Sequence, residues 1–205
     1  MRMAIGTTKI VSGIAITGLV GGGIGAGVSL LNNYSTVKSR LTLEGFNTVV
    51  ADNEWDVILA SHNEQQKTNL FALASGEKKD KAWLQKKCEE ALNKKSNDEA
   101  IYKSARQWCT KTEVIGVILE RGKYTVLNTE ANQPDKNKEE WNKKLTKLNN
   151  NNEAKKKITI TWSKEEAEKI KEIKAKCREI NAVKNAAQDF DEKFELAKEW
   201  CSIKA

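Results

Sequence analysis

Two patterns divide the chain. A block of apolar and glycine positions comes first, and a long stretch follows in which apolar residues recur every three or four places. From Ile10 to Val37 no residue carries a charge, and the apolar centre of the block, Ile10 to Leu31, is 22 residues long. As a helix rising about 1.5 Å per residue it would span roughly 30 Å, the thickness of a bilayer's hydrocarbon. Residues 1–38 therefore predict an N-terminal anchor with a transmembrane helix over about 10–31. Arg2 and Lys9 precede the block, which keeps the amino terminus inside and sends the rest across; Lys38 and Arg40 follow it and pull the other way. A cleaved secretory signal and a buried core helix are the competing readings, although no Ala-x-Ala precedes Ser29. No cysteine follows the run closely enough for lipoprotein processing. Seven of the 22 residues are glycine. Gly18 and Gly22 form one of several GxxxG pairs that would let two copies associate weakly as a homodimer, or are simply part of a glycine-rich span.

Beyond the anchor the spacing is helical. Leu84, Cys88 and Leu92 share a face, and Ile101, Ala105 and Cys109 share another. Ile170, Ile173, Cys177 and Ile180 repeat the first of these faces, and Phe190, Phe194, Ala197 and Cys201 repeat the second. Ser96 with Glu99 and Ser163 with Glu166 have capping-box spacing, and Asp189 stands where it could start a last helix. The single proline, Pro134, agrees with a mainly α fold. Two segments, Phe46 to Val50 and Tyr124 to Leu127, are short, β-branched and aromatic, and read either as short strands paired with each other or as extended connectors.

The same features occur twice in the same order. Val37 to Gly45 is matched by Val114 to Gly122, and Glu54-Trp55 with Leu59 by Glu140-Trp141 with Leu145. Lys-Cys88-Glu-Glu is matched by Lys-Cys177-Arg-Glu, and Trp108-Cys109 by Trp200-Cys201. Ordered matches of this kind predict a duplication: repeat unit 1 over 39–112 and repeat unit 2 over 113–205. Each unit is expected to be a helical hairpin preceded by a tryptophan-bearing helix. Four of the six tryptophans sit at repeat positions and read as core; Trp83 and Trp162 do not, and read as candidates for exposure.

Charge changes the picture less than its sum suggests. The net +7 divides into three basic groups in 1–38, a balanced 14 and 14 in 39–133, and 18 basic against 14 acidic in 134–205. The excess lies in Lys143, Lys144, Lys147 and Lys155 to Lys157, around the run Asn149 to Asn152. Without a basic face interleaved with aromatic or glycine-rich elements, this stretch reads as a solvated linker, and nucleic acid is not the expected partner.

Candidate chemistry is sparse. Cys88, Cys109, Cys177 and Cys201 lie one per helix of each hairpin, which in an exported domain favours Cys88 with Cys109 and Cys177 with Cys201. Straight antiparallel helices would leave about 7 Å of axial offset, to be absorbed by crossing helices or an irregular helix end. Four cysteines allow three pairings, and free buried thiols are the alternative. There is no CxxC, and His62 is the only histidine, so neither a zinc site nor a His-based relay is expected. His62 reads as a partly exposed structural residue near a helix end. No catalytic, cofactor-binding or metal-ligating residue is assigned.

Taken together, Ile10 to Leu31, Val37…Leu41…Gly45 followed by Glu54-Trp55, and the Trp108-Cys109 and Trp200-Cys201 closings resemble the paralogous uncharacterised surface and membrane protein families of haemotropic mycoplasmas. The resemblance implies a surface-exposed, antigenically variable protein of a wall-less bacterium living on red cells, with no established activity. It supplies no functional residues. The export segment, the repeated scaffold and the lack of an active-site constellation predict a non-enzymatic protein in the cell membrane whose C-terminal domain is extracellular and meets a host surface molecule or antibody. The competing expectation is an inward-facing membrane-tethered scaffold or basic nucleic-acid-binding protein.

Overall fold

The computed structural model describes residues 35–64, 69–133 and 136–205. The expected anchor helix over 10–31, with Gly18 and Gly22, lies outside the described residues. Among those described, no helix is long and apolar enough to cross a membrane. The fold is mainly helical with one two-stranded antiparallel sheet among the described residues. In chain order the elements are α1 (Val37–Leu43), α2 (Asp52–Glu64), α3 (Lys81–Leu92), α4 (Glu99–Trp108), α5 (Ile115–Arg121), β1 (Tyr124–Val126), α6 (Lys138–Asn149), α7 (Asn152–Lys157), α8 (Glu166–Asn181), α9 (Phe190–Leu196), a π-helical turn (Ala197–Cys201) and β2 (Ser202–Lys204). Helix α1 begins inside the span assigned to the anchor: Val37 is fully buried, so the folded part includes 37 and 38.

Helix starts follow local capping chemistry, though not always at the expected residue. Thr36 and Ser39 cap α1 reciprocally, each side chain accepting from the other's backbone N–H at 3.2 Å. Asp80 and Asn151 accept from the N–H groups of Trp83 and Ala154 at 3.0 and 2.9 Å. The expected capping box of Ser96 and Glu99 does not form. Asp98 is the cap and accepts from Ile101 at 3.1 Å. Ser96 is buried and its carbonyl takes a hydrogen bond from Arg40 at 3.0 Å, while Glu99 pairs with the same guanidinium at 2.5 Å. The Ser163–Glu166 box is also absent: α8 starts at Glu166 with Glu165 as its uncapped N-cap. Glu172 fixes that entry instead, accepting from the Thr161 N–H at 2.5 Å and from Lys164 at 2.6 Å. Asp189 is the N-cap of α9, without a side-chain capping bond.

Both hairpins form, α3 with α4 and α8 with α9 and the π turn, and the helices bearing Trp55 and Trp141 precede them. Their loops are tied in the same way. The Val37 N–H donates to the Lys94 carbonyl at 2.8 Å, and the Ile115 N–H donates to the Val183 carbonyl at 2.9 Å. Isolated antiparallel bridges, Thr36 with Lys95 and Val114 with Lys184, sit at the same places. After the hairpins the two parts differ. In the second, β1 pairs with β2 in the register Tyr124–Lys204, Thr125–Ile203 and Val126–Ser202. In the first, only one link is made at this level, the Lys111 N–H to the Asn47 carbonyl at 2.8 Å, so 46–50 is an extended connector. The two segments expected as a strand pair therefore do not pair with each other. Each turns instead to the chain that follows its own hairpin.

One core joins all of this. Trp108, Trp141 and Trp200 are each at most 1% exposed, and burying a large apolar side chain contributes roughly 1.5–3 kcal/mol. Phe46, from the first part, packs on Phe190 and Phe194 of α9, with ring centroids 6.1 and 5.3 Å away. Trp83, expected as a candidate for exposure, is buried, because its indole N–H reaches Glu77 at 3.0 Å while the ring faces inward. Trp162 is half-buried against the core with Lys155 over its ring.

Candidate functional site

The four cysteines pair as Cys88–Cys109 and Cys177–Cys201, with Cα atoms 5.1 and 5.3 Å apart, inside the range a disulfide needs. All four are at most 1% exposed. The expected axial offset is absorbed by irregular helix ends. Cys109 is the C-cap of α4, with φ −112° and ψ 17°, just past the regular helix. Cys201 closes the π-helical turn and bonds Cys177 from there. Each bridge is thus placed by the point at which its second helix stops being regular.

His62 is not partly exposed. It is fully buried in an aromatic enclosure of Trp108, Trp83 and Phe71, with ring centroids 5.0, 5.5 and 6.3 Å away. Its Nε2 accepts from the Phe71 N–H at 3.3 Å. Burial first, and then the positive charge of Lys79, push its pKa down to about 4. The imidazole is therefore neutral near pH 7 and held inside the core, where it serves packing rather than proton transfer with solvent. The burial comes from the segment around Phe71, which folds over the end of α2, a tertiary event that the helical spacing around Ile58 does not announce.

The lysine-rich stretch is folded rather than a linker, since 152–157 forms α7. Its lysines meet partners within the chain. Lys143 pairs with Glu140 at 2.7 Å, Lys147 with Glu199 at 3.2 Å, Lys156 with Glu153 at 2.7 Å and Lys157 with Glu192 at 3.0 Å. Lys155 lies 4.5 Å over the Trp162 ring. Lys144 donates to the carbonyls of Glu199 and Ser202, at 2.5 and 2.8 Å, and closes the C-terminal end of the π turn. Exposed pairs of this kind contribute little stability, but they spread the positive charge over acidic neighbours.

A buried ionic cluster between the two parts was not legible as a site. Arg106 of α4 is 4% exposed and pairs with Asp191 of α9, over the rings of Tyr102, Phe194 and Phe190 at 5.2, 5.3 and 5.5 Å. Burial opposes its charge, and Tyr102, Asp191 and Glu44 more than offset that, so its pKa is raised. Tyr102 donates its hydroxyl to Glu44, with Arg40 stacked 3.5 Å over the ring. Asn69 links Gln107 and Asp191 at 3.1 and 3.2 Å. The signal was Tyr102 and Arg106 at i and i+4, beside the apolar positions 101 and 105; on sequence alone that arginine looks like a solvated face. Arg40 meets Glu99 and Arg106 meets Asp191 from other elements, while Arg106 Nε is buried without a hydrogen-bond partner. Among the described residues no group of three or more His, Cys, Asp or Glu is placed to hold a metal ion.

Comparison of the chain with protein-family profiles, with curated proteins and with solved structures finds no match in any of the three.

Proposed function

We propose that this chain is a non-enzymatic, membrane-tethered protein whose folded part, from residue 37 onward, lies outside the membrane and presents a disulfide-stapled surface to a host molecule or antibody. The observation that carries this reading is the pairing of all four cysteines within the chain, with no free thiol left. Paired, buried cysteines belong to oxidising compartments. The uncharged segment from Ile10 to Val37, preceded by Arg2 and Lys9, is the means of tethering and export. The reading extends to the resemblance with the surface protein families of haemotropic mycoplasmas and to a weak self-association of anchors through Gly18 and Gly22.

We further propose that the folded part arose by duplication of a unit of one short helix, a tryptophan-bearing helix and a disulfide-closed hairpin. Supporting it are the paired links Val37 to Lys94 and Ile115 to Val183, the two matching bridges, and the equivalent disulfides. The self-pairing of the 143–157 lysines weighs against an inward-facing nucleic-acid binder.

Protease treatment of intact cells tests the location. The folded part should be cleaved or released while a cytoplasmic control protein survives. Protection on intact cells with cleavage after lysis would end the proposal.

A further inference from the structure

Residues 69–80 lead into α3 without forming a helix or strand, and 72–76 and 78 are exposed. The two ends of this segment are tied down. At the first, Trp108 Nε1 donates to the Asn69 carbonyl at 2.8 Å, and the Asn69 amide donates to Gln107 and Asp191. At the second, Trp83 Nε1 donates to Glu77 at 3.0 Å, and Asp80 caps α3. Between them the hold is slight. Among the described residues one hydrogen bond joins 70–76 to another element, from the Phe71 N–H to His62 Nε2 at 3.3 Å.

The latch is therefore an imidazole, and the bond needs it neutral. Because Nε2 accepts, the one proton of the neutral ring sits on Nδ1, which is buried without a hydrogen-bond partner. A second proton has only Nε2 to go to, and there it removes the acceptor that Phe71 uses. The resulting cation would be fully buried among Trp108, Trp83 and Phe71, where an unpaired charge is costly. The charged groups on the surrounding elements do not help it. Lys79 is positive and adds to burial in disfavouring the cation, Glu77 is taken by Trp83 and Lys87, Asp191 is taken by Asn69 and Arg106, and Glu64 of α2 is exposed. The wall beneath the strap stands without it, since the Cys88–Cys109 bond and the packing of α3 on α4 join its two sides.

We propose that residues 70–76 form an acid-released strap: a proton on His62 Nε2 unlatches Phe71, and the strap lifts from the aromatic wall of Trp83 and Trp108 while the rest of the fold stays closed. The device belongs to the first hairpin alone, because His62 is the only histidine in the chain. It is independent of which side of a membrane the domain faces. Closure is at full strength above pH 6.5 and weakens as the pH falls toward 4, where the latched imidazole protonates too. Between an open-strap pKa of about 6.5 and a closed one of about 4, the opening equilibrium rises roughly thirtyfold from pH 7.5 to pH 5.

The test is amide hydrogen exchange of the full chain, with each rate referred to that of an unstructured peptide at the same pH. Protection of the Phe71 amide should fall roughly thirtyfold from pH 7.5 to pH 5. It should be indifferent to about 1 M urea, because lifting a short strap exposes little surface. The amides of Cys88 and Ala105 should exchange far more slowly than Phe71 at both pH values and should respond to that urea, because they open only with the whole domain. In His62→Gln the Phe71 protection should lose its pH dependence, since glutamine can accept the same bond and does not titrate. Should that variant not fold, the imidazole nitrogen shifts of His62 in the native chain provide the second arm. They should show the neutral Nδ1–H form wherever Phe71 is protected. Phe71 protection that does not change with pH, or that matches Cys88 in level and urea response, would overturn the proposal. So would an unaltered pH dependence in His62→Gln, or a charged His62 beneath a still protected Phe71.

Discussion

Gly45 and Gly122 lie backbone against backbone. A Cβ on Gly45 would come within 2.1 Å of the Ile118 carbonyl oxygen and 2.6 Å of the Gly122 nitrogen, and one on Gly122 within 2.7 Å of the Glu44 carbonyl oxygen. The ends of α1 and α5 therefore meet at a spacing that only hydrogen side chains permit. Gly45 also has φ +95°, while Gly76 at φ +82° has nothing within 4 Å of its would-be Cβ. These three positions separate the two penalties. Gly76→Ala should cost about 1 kcal/mol, from left-handed backbone alone. Gly122→Ala should cost roughly 2 kcal/mol from the clash, and Gly45→Ala, which suffers both, about 3 kcal/mol or more. Urea midpoints of the three variants check the order; a Gly45 variant no worse than the Gly76 variant would refute the close approach.

His62 gives the fold a particular acid sensitivity. Its folded pKa of about 4 lies below the ordinary 6.5. Above pH 6.5 both folded and unfolded chains hold it neutral, and it contributes no pH dependence. As the pH falls below 6.5 the unfolded chain takes up a proton that the folded one refuses, so stability drops until about pH 4, where the folded protein protonates too. Glu77, Glu153 and Glu172 are held below the usual 4.5, chiefly by hydrogen bonds, so their stabilisation is present above 4.5 and is lost only as the pH falls further. The interval from 6.5 to 4.5 therefore reports on His62, with an expected loss on the order of 2 kcal/mol. Denaturant midpoints across that interval should slope in the native chain and flatten in His62→Gln. An unchanged slope in the variant would remove His62 as the cause.

Helical faces are local to the sequence, and individual residues show where tertiary contacts take over. Apolar spacing located Leu84, Cys88, Ala105, Ile173, Cys177, Phe190 and Phe194, because a helix face is a property of its own sequence; all seven are buried. Repetition located the cysteine pairs, whose partners lie within one hairpin. What escaped depends on groups distant in sequence. Ser96 does not cap α4 because the helix starts only at Glu99 with Asp98 as its N-cap, while the Ser96 carbonyl takes a bond from Arg40, 56 positions earlier. Tyr124 to Val126 pairs with the last residues of the chain rather than with 46–50. Arg106 is buried because Asp191, 85 positions later, meets it.

The disulfides allow a prediction that separates their structural effect from their location. The bridges close stretches of 21 and 24 residues. Loop-closure entropy assigns about 3 kcal/mol of stabilisation to each, a large share of the roughly 5–15 kcal/mol typical of a folded domain. Cys88→Ser and Cys109→Ser should therefore destabilise by similar amounts, and the double variant by little more than either alone, since all three remove one bond. Cys88→Ser combined with Cys177→Ser removes both bonds and should be nearly additive, because the bridges lie in different hairpins. Both bonds are buried, so reductant should act through prior opening and work faster as denaturant is added. Mass spectrometry of protein alkylated on intact cells without reduction decides whether the bonds exist in place. Four unmodified cysteines, becoming reactive only after unfolding in reductant, are expected. Four cysteines alkylated after unfolding without reductant would mean thiols in the native protein, and would remove the observation on which the extracellular assignment rests.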